Sequence, residues 1–307
     1  MTWALDAPSG VYKNHALSSE IRKEAMFDVQ TMKFLRPEPG FGKRRGDTIT
    51  ITRFMQLPVA GRVGEQDALP QGRPAINTKA LTVGEWGFKV PVTEFEENLT
   101  SFDLTNYIQQ MLRDQMSLTM DLMATSALNT TQYLYTPEVG GGVISTTGTA
   151  AGAATANLAI SDLRVIRDSL RKNKAPYFRN GKYIAILGTR AARGIKNDPE
   201  YKDWSAPQSA DPMVSGLLKP DIEGFEVYES NNIYSFPDLI GTSTVCGSGM
   251  FFGADPGFLA IVQSPELRAG IPMELGRFRE VGWVGTLDAS ITWDQPSLSR
   301  VIALAST

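Results

Sequence analysis

The sequence, 307 residues long, predicts an α+β fold. Three observations carry that prediction. Residues 47–54, "DTITITRF", alternate as a half-buried strand does, and residues 100–130, "TSFDLTNYIQQMLRDQMSLTMDLMATSALNT", repeat apolar side chains at helical spacing. Beyond a second helix, short apolar or alternating strands follow one another to the C-terminus without a regular βαβ repeat. With 42% hydrophobic and 21% charged residues, the chain is globular in composition and long enough for a sizeable core divided into two lobes.

Residues 1–46 read as an arm. "SSEIRKEAMFDVQ" (18–30) follows Leu17 and sets Leu17, Ile21, Ala25 and Val29 four apart, the stripe of a short helix. "RPEPGFGKRRGD" (36–47) has too much proline, glycine and charge to continue it. In the strand that follows, Ile49, Ile51 and Arg53 share one face and the threonines the other. Its partner, "TKALTVGEWGFKVPVTEF" (78–95), alternates through Leu81 and Val83, then resumes out of phase at Trp86, Phe88, Val90 and Val92. One extra residue near Gly84 and Glu85 explains the slip, as a bulge that bends the strand. The stretch between them, "LPVAGRVGEQDALPQGRP", suits a solvent-reaching loop. Residues 47–95 are therefore expected to form a long two-stranded projection, marginal unless it docks on something.

In the helix at 100–130, Leu104, Ile108, Met111, Leu118 and Leu122 mark one face, and Tyr107, Met116, Met120 and Met123 widen it. Thr100 or Ser101 can cap it, and only Arg113, Asp114 and Asp121 are charged across its body, which predicts burial on most sides. The Gly/Ala/Thr-rich stretch at 136–157 reads as a loop. "SDLRVIRDSLRKNKAP" (161–176) reads as a helix with a Ser/Asp cap and a cationic end. "KYIAILGTRAARGIKNDPEYKDW" (182–204) reads as a buried strand, a glycine turn and a short helix. An irregular segment at 205–220 precedes the remaining strands, in "GFEVYESNNI", "GMFFGADPGFLAIVQSPE", "GRFREVGWVGTLDASITWD" and "SLSRVIALAS".

Several function classes fall away. A net charge of −3 gives no global basic field to attract nucleic acid. A single cysteine, Cys246, allows no intrachain disulfide and suits a reducing cytosol, where a small buried hydrophobe is its default role. "MTWALDAPSG" lacks a secretory signal's features and no apolar run approaches the ~18 residues of a membrane span, so a soluble protein made inside a cell is expected. The triplets at Asn98 and Asn129 are then chance matches to a glycosylation signal.

The only histidine, His15, lies in the arm, which removes Ser-His-Asp catalysis and multi-histidine metal sites unless the arm folds into a site. "GSGMFFG" (247–253) has Phe252 where a dinucleotide signature needs its third glycine, and no Walker motif exists. Glu94, Glu96 and Glu97 could bind calcium or catalyse, but a charged turn is the plainer reading. Gly188-Thr189-Arg190 offers a phosphate one glycine, one cap and one cation. Against it stands the simpler reading that Thr189 caps a short helix which Asn197-Asp198-Pro199 ends. Lys43-Arg44-Arg45 could touch phosphates, but without interleaved aromatic residues a solvated linker, or a partner for a neighbour's acids, is the plainer reading. No set of residues predicts an enzyme, and no catalytic, cofactor or metal residue is assigned.

Taken in order, an arm, a bulged ribbon, a near-uncharged helix and a second lobe resemble the major capsid protein of tailed bacteriophages. The motifs that carry the resemblance are "WGFKVPVTEFEEN" leading into the long helix, "KYIAILGTRAARGIKNDPEYKDW" and "GLLKPDIEGFEVYESNNI", and they look most like the coat proteins of N4-type phages. The resemblance implies an N-terminal arm (1–46), an extended loop (47–95), a peripheral domain holding the spine helix (96–160 and 280–307) and an axial domain (161–279). It implies a virion protein, assembled in the cytoplasm of a bacterial host into pentamers and hexamers around double-stranded DNA held by non-specific contact. A portal, a separate scaffolding protein and room for a decoration protein go with it, without catalysis, cofactor or membrane. The implied inter-subunit contacts are Lys43, Arg44, Arg45, Arg62, Arg73, Trp86 and Phe88. Some relatives cross-link a loop lysine to an asparagine, for which Lys79 would be the donor, although the sequence shows no motif for it. Two other readings stay open: a bacterial nanocompartment shell of the same fold, enclosing cargo enzymes, and a soluble α/β ligand-binding protein using the Gly188 turn.

Overall fold

The computed structural model describes residues 29–38, 47–65, 68–69, 71–99, 104–149, 154–201, 221–230, 232–233, 248–274, 277–295 and 298–304. His15, Lys43, Arg44, Arg45, Cys246, the loop at 205–220 and nearly all of the expected arm helix lie outside the described residues.

The alternation at 47–54 forms strand β2 (Thr48–Phe54), paired antiparallel with β3 (Ile76–Thr82) from Thr48↔Thr82 to Phe54↔Ile76. Ile49, Ile51 and Arg53 turn inward as their spacing predicts, with Asn77, Lys79 and Leu81 beside them. The ribbon ends there. Val83 donates its N–H to the Asp47 carbonyl (2.9 Å), and the chain then leaves for another sheet as β4 (Gly84–Thr93), paired antiparallel with β12 (Phe278–Ile291). The phase slip is therefore a change of sheet and not a bulge. One residue out of register turns the apolar set 86, 88, 90 and 92 to a new partner, and the expected long strand is two strands. Trp86 and Phe88 accordingly sit on β4 and not on the ribbon.

The four-stranded sheet runs β1 (Arg36–Glu38), β11 (Gly257–Ala269), β12, β4, with β1 parallel to β11. Where a charged turn was expected, α1 (Glu94–Leu99) follows β4. Thr93 and Glu96 form a reciprocal cap: the Thr93 N–H donates to Glu96 Oε2 (3.1 Å) and the Glu96 N–H to Thr93 Oγ1 (3.2 Å). One of the three clustered carboxylates is thus engaged in starting a helix.

Next comes α2 (Leu104–Asn129), 26 residues and about 39 Å long. Its burial is one-sided and concentrated towards the C-terminus, at Asp121, Met123, Ala124, Thr125 and Leu128, with Leu112 further up. Ile108, Leu112 and Met116 face Val90, Val281, Trp283 and Leu267 of the four-stranded sheet. Met111, assigned to the apolar face from spacing, is 61% exposed. The expectation of burial on most sides fails because this half of the helix has a sheet on one side only. Sparse charge therefore does not mark an enclosed helix here.

The seven-stranded sheet runs β6 (Val143–Ser145), β5 (Leu134–Thr136), β13 (Val301–Leu304), β10 (Gly249–Phe252), β7 (Tyr183–Leu187), β9 (Phe225–Glu229), β8 (Asp221–Ile222). One face, with Tyr135, Tyr183, Phe225 and Phe251, packs under α3 (Ile160–Lys172) and α4 (Thr189–Asn197) through Leu163, Ile166, Leu170 and Ile195. The other face, with Ile184, Ile186, Met250, Phe252 and Val301, meets the end of α2 and Leu259, Leu287 and Ile291 of the smaller sheet. The layers are thus helices, seven strands, α2 and four strands. Sheet membership cuts across the expected boundaries: β5, β6 and β13 join the strands of 161–279, while β11 leaves them for the smaller sheet. Pairing between strands far apart in sequence decides this, and local pattern is silent on it.

The predicted caps of α3 and α4 differ in detail, while Thr100 and Ser101, offered as caps of α2, lie outside the described residues. Ala159 is the N-cap of α3, with Asp162 Oδ2 accepting the Ala159 N–H (2.9 Å) and Asp198 Oδ2 accepting that of Ile160 (2.8 Å). Gly188 is the N-cap of α4, so Thr189 is its first helical residue and not its cap.

The end of the expected arm belongs to the body. A 3-10 turn at Thr31–Phe34 and β1 form a strap, and the Phe34 ring lies 5.4 Å from each of the rings of Phe178, Tyr228 and Phe252.

Candidate assembly surface

The inner face of the ribbon is fixed by charge. Arg53, 5% exposed, donates from Nη1 to the Thr292 carbonyl (2.7 Å) and to Asp294 Oδ1 (2.9 Å), while Lys79 Nζ donates to Asp294 Oδ2 (2.7 Å). The Arg53 guanidinium also lies 5.7 Å from the centre of the Trp293 ring. Burial alone would raise the Asp294 carboxyl, but Lys79 and Arg53 outweigh it and hold its pKa below the usual aspartate value. The projection thus docks on its own chain just beyond β12. Lys79, the candidate cross-link donor, is engaged in that docking.

The outer face has no such partner among the described residues. Phe54 and Ile76 sit opposite each other at the far end of the ribbon, 66% and 61% exposed. The loop beyond adds Leu57, Val59 and Leu69, exposed at 51%, 95% and 76%. Arg62 and Arg73 stand exposed on the same loop and form no ion pair among the described residues. Five exposed large apolar side chains at one end of a two-stranded ribbon are more than a solvated loop needs.

Trp86 and Phe88 are exposed on β4, whose second edge has no strand beside it among the described residues. Glycine shapes this ladder: a Cβ at Gly87 would come within 2.7 Å of the Trp283 carbonyl, and one at Gly282 within 2.7 Å of the Phe88 carbonyl. At the end of the same sheet, Phe95 and Leu99 of α1 lie near the β11–β12 turn with Ile271, Met273 and Phe278, all exposed. The Glu94 N–H donates to the Arg277 carbonyl there (2.9 Å). Among the candidate contacts that are described, Arg62 and Arg73 lie together on the ribbon loop and Trp86 and Phe88 lie apart from them on the sheet edge.

A sequence model of the family described as phage capsid protein matches residues 76–297, from β3 to the end of the ribbon's docking segment. The chain belongs to the phage capsid protein family. No curated protein matches it in sequence. The fold is that of the cyanophage Pam1 capsid asymmetric unit, at 16% identity with TM-score 0.73 over 98% of this chain and 97% of that one. It is also that of the head structure of Helicobacter pylori bacteriophage KHP40, at 14% identity with TM-score 0.68 over 97% and 96%. A Mycobacterium phage Che8 chain matches at 13% identity with TM-score 0.66 over 95% and 96%.

In this capsid protein, the strand-turn-helix at 183–197 is scaffold. The Gly188 N–H, which a phosphate would need, donates to the Ser248 carbonyl (2.8 Å), and a Cβ at Gly188 would meet that oxygen at 3.1 Å. The described residues contain no group of three or more His, Cys, Asp or Glu placed to hold a metal, and no helix long and apolar enough to cross a membrane.

Sequence reasoning missed the polar residues that tie distant segments together. Asp294 follows an unremarkable Ile-Thr-Trp, and its link to the ribbon has no local sign. Asp162 accepts from the buried Tyr135 hydroxyl (2.6 Å), and burial together with Asp162 pushes that phenol far above its ordinary pKa. Asp121 did have a signal, as the last charge in an otherwise apolar half-helix.

Proposed function

We propose that this chain is the major capsid subunit of a tailed bacteriophage, closing into pentamers and hexamers that form an icosahedral head around double-stranded DNA. The exposed Phe54–Ile76 pair with its apolar loop carries the reading, because this surface needs a neighbouring copy to leave water. Such a contact is heterologous, the ribbon of one subunit meeting a different surface of the next, and heterologous contacts close into rings when the rotation allows. Arg62 and Arg73 flank it, Trp86 and Phe88 offer a second contact along the β4 edge, and the α1 and β11–β12 turn patch a third. In domain terms, the ribbon is the extended loop, α2 with the four-stranded sheet the peripheral domain, and the seven-stranded sheet with α3 and α4 the axial domain.

The role is structural and not catalytic. A separate scaffolding protein, a portal and non-specific contact with packaged DNA belong to the same reading, as does assembly in the cytoplasm of a bacterial host. Negative-stain microscopy of the expressed chain, alone and with its phage's scaffolding protein, tests it. Closed shells or ring-shaped capsomers are expected. Small discrete monomers under all conditions would overturn the reading, and shells that co-purify with an enzyme cargo would turn it towards a nanocompartment.

A further inference from the structure

Asp121 is fully buried on α2, and no cation pairs with it among the described residues. Its charge is met by three donors from two distant segments. The strap contributes the N–H groups of Thr31 (2.8 Å) and Met32 (3.2 Å) to Oδ1, and the chain after β9 contributes Asn232 Nδ2 (3.2 Å) to Oδ2. Thr125, one helical turn on, adds a hydroxyl bond to Thr31 (3.1 Å). Asn232 is itself held to the seven-stranded sheet, its N–H on Ser230 Oγ (3.2 Å) and the Ser230 N–H on the Leu187 carbonyl (2.9 Å).

We propose that Asp121 is a clasp that makes docking of the strap at 29–38 and seating of the Ser230 and Asn232 segment a single all-or-none event. A buried carboxylate stripped of one donor is worse off than one that is fully bonded or fully hydrated. Half-docked states are therefore disfavoured. Either both segments hold Asp121, or the strap lifts and water reaches it. This inference does not rest on assembly into shells, and its test is made on the unassembled chain.

The test is hydrogen exchange of the full chain, read at Thr31 and Met32 and after β9, in Asn232→Ala, Asp121→Asn and the double variant. Asn232 makes no hydrogen bond to the strap among the described residues, yet in Asn232→Ala exchange at Thr31 and Met32 should rise about tenfold or more, the worth of one bond to a charged group. In the Asp121→Asn background, Asn232→Ala should add little at the strap, since the clasp is already open. An Asn232→Ala effect confined to its own segment would overturn the proposal. So would an undiminished strap effect in the double variant, which would route the coupling through the apolar contacts of Ile233 instead. If Asp121→Asn does not fold, Asn232→Ala alone decides.

Discussion

Arg53 on the ribbon and Asp294 beyond β12 stand 241 positions apart in sequence and 2.9 Å apart in space. That pair turns a two-stranded projection, marginal by itself, into part of the subunit. Lys79 sets a second cation on the same carboxylate, and the ring of the adjacent Trp293 has both Arg53 and Arg300 close to it.

Asp294→Ala should release the ribbon. It leaves the Arg53 guanidinium buried without its counter-ion, a loss of about 2–4 kcal/mol. Limited proteolysis should then cut first in the loop at 55–75, with the two-sheet body surviving. Lys79→Ala, at a more exposed position, should cost under about 1 kcal/mol.

Two aspartates should give opposite pH responses. The Asp294 carboxyl is held below its ordinary pKa, so its stabilisation is complete above the unfolded value near 4 and is lost as pH falls further. The Asp288 carboxyl is raised by burial, against the single bond it accepts from the Ala289 N–H, so its ionised form costs stability at neutral pH. Asp288→Asn should raise the melting temperature at pH 7, and the gain should vanish below about pH 4, where the acid is protonated folded or unfolded. Thermal melts from pH 3 to 8 check both signs.

Phe54→Asp and Ile76→Asp should abolish particles while leaving the subunit's own unfolding within about 0.5 kcal/mol of the parent. Both side chains are exposed in the single chain, so only a partner can register the change. Sedimentation velocity beside a urea melt separates the two effects, and an equal loss of folding and assembly would contradict the assignment.

Tyr135→Phe should cost about 1.5–3 kcal/mol, because it leaves the buried Asp162 Oδ1 without the hydroxyl that donates to it. Gly142→Ala should do similar damage from outside. Its Cβ would come to 2.1 Å from the Tyr135 hydroxyl, so the ring must move away from its bond. Denaturant midpoints for both variants would show whether the two act on one contact.

Local features of this protein were determined by its sequence. The alternation of "TITITRF", the cluster of apolar residues in "YIAIL" and the spacing in α3 each dictate an element, since burial of one face follows directly from a period of 2 or 3.6. The order of these elements was enough to suggest a capsid subunit. The phase slip at Val83 was visible too, but not its meaning, because a lost period shows that a strand changes surroundings without showing what it then pairs with. Only the tertiary structure decided that β4 belongs with β12, that β13 crosses to the larger sheet, and which flank of α2 is covered. The same holds for Asp121 and Asp294. A buried carboxylate is stabilised by donors that can lie anywhere along the chain, and for these two they come from positions 31, 32 and 232, and from 53 and 79.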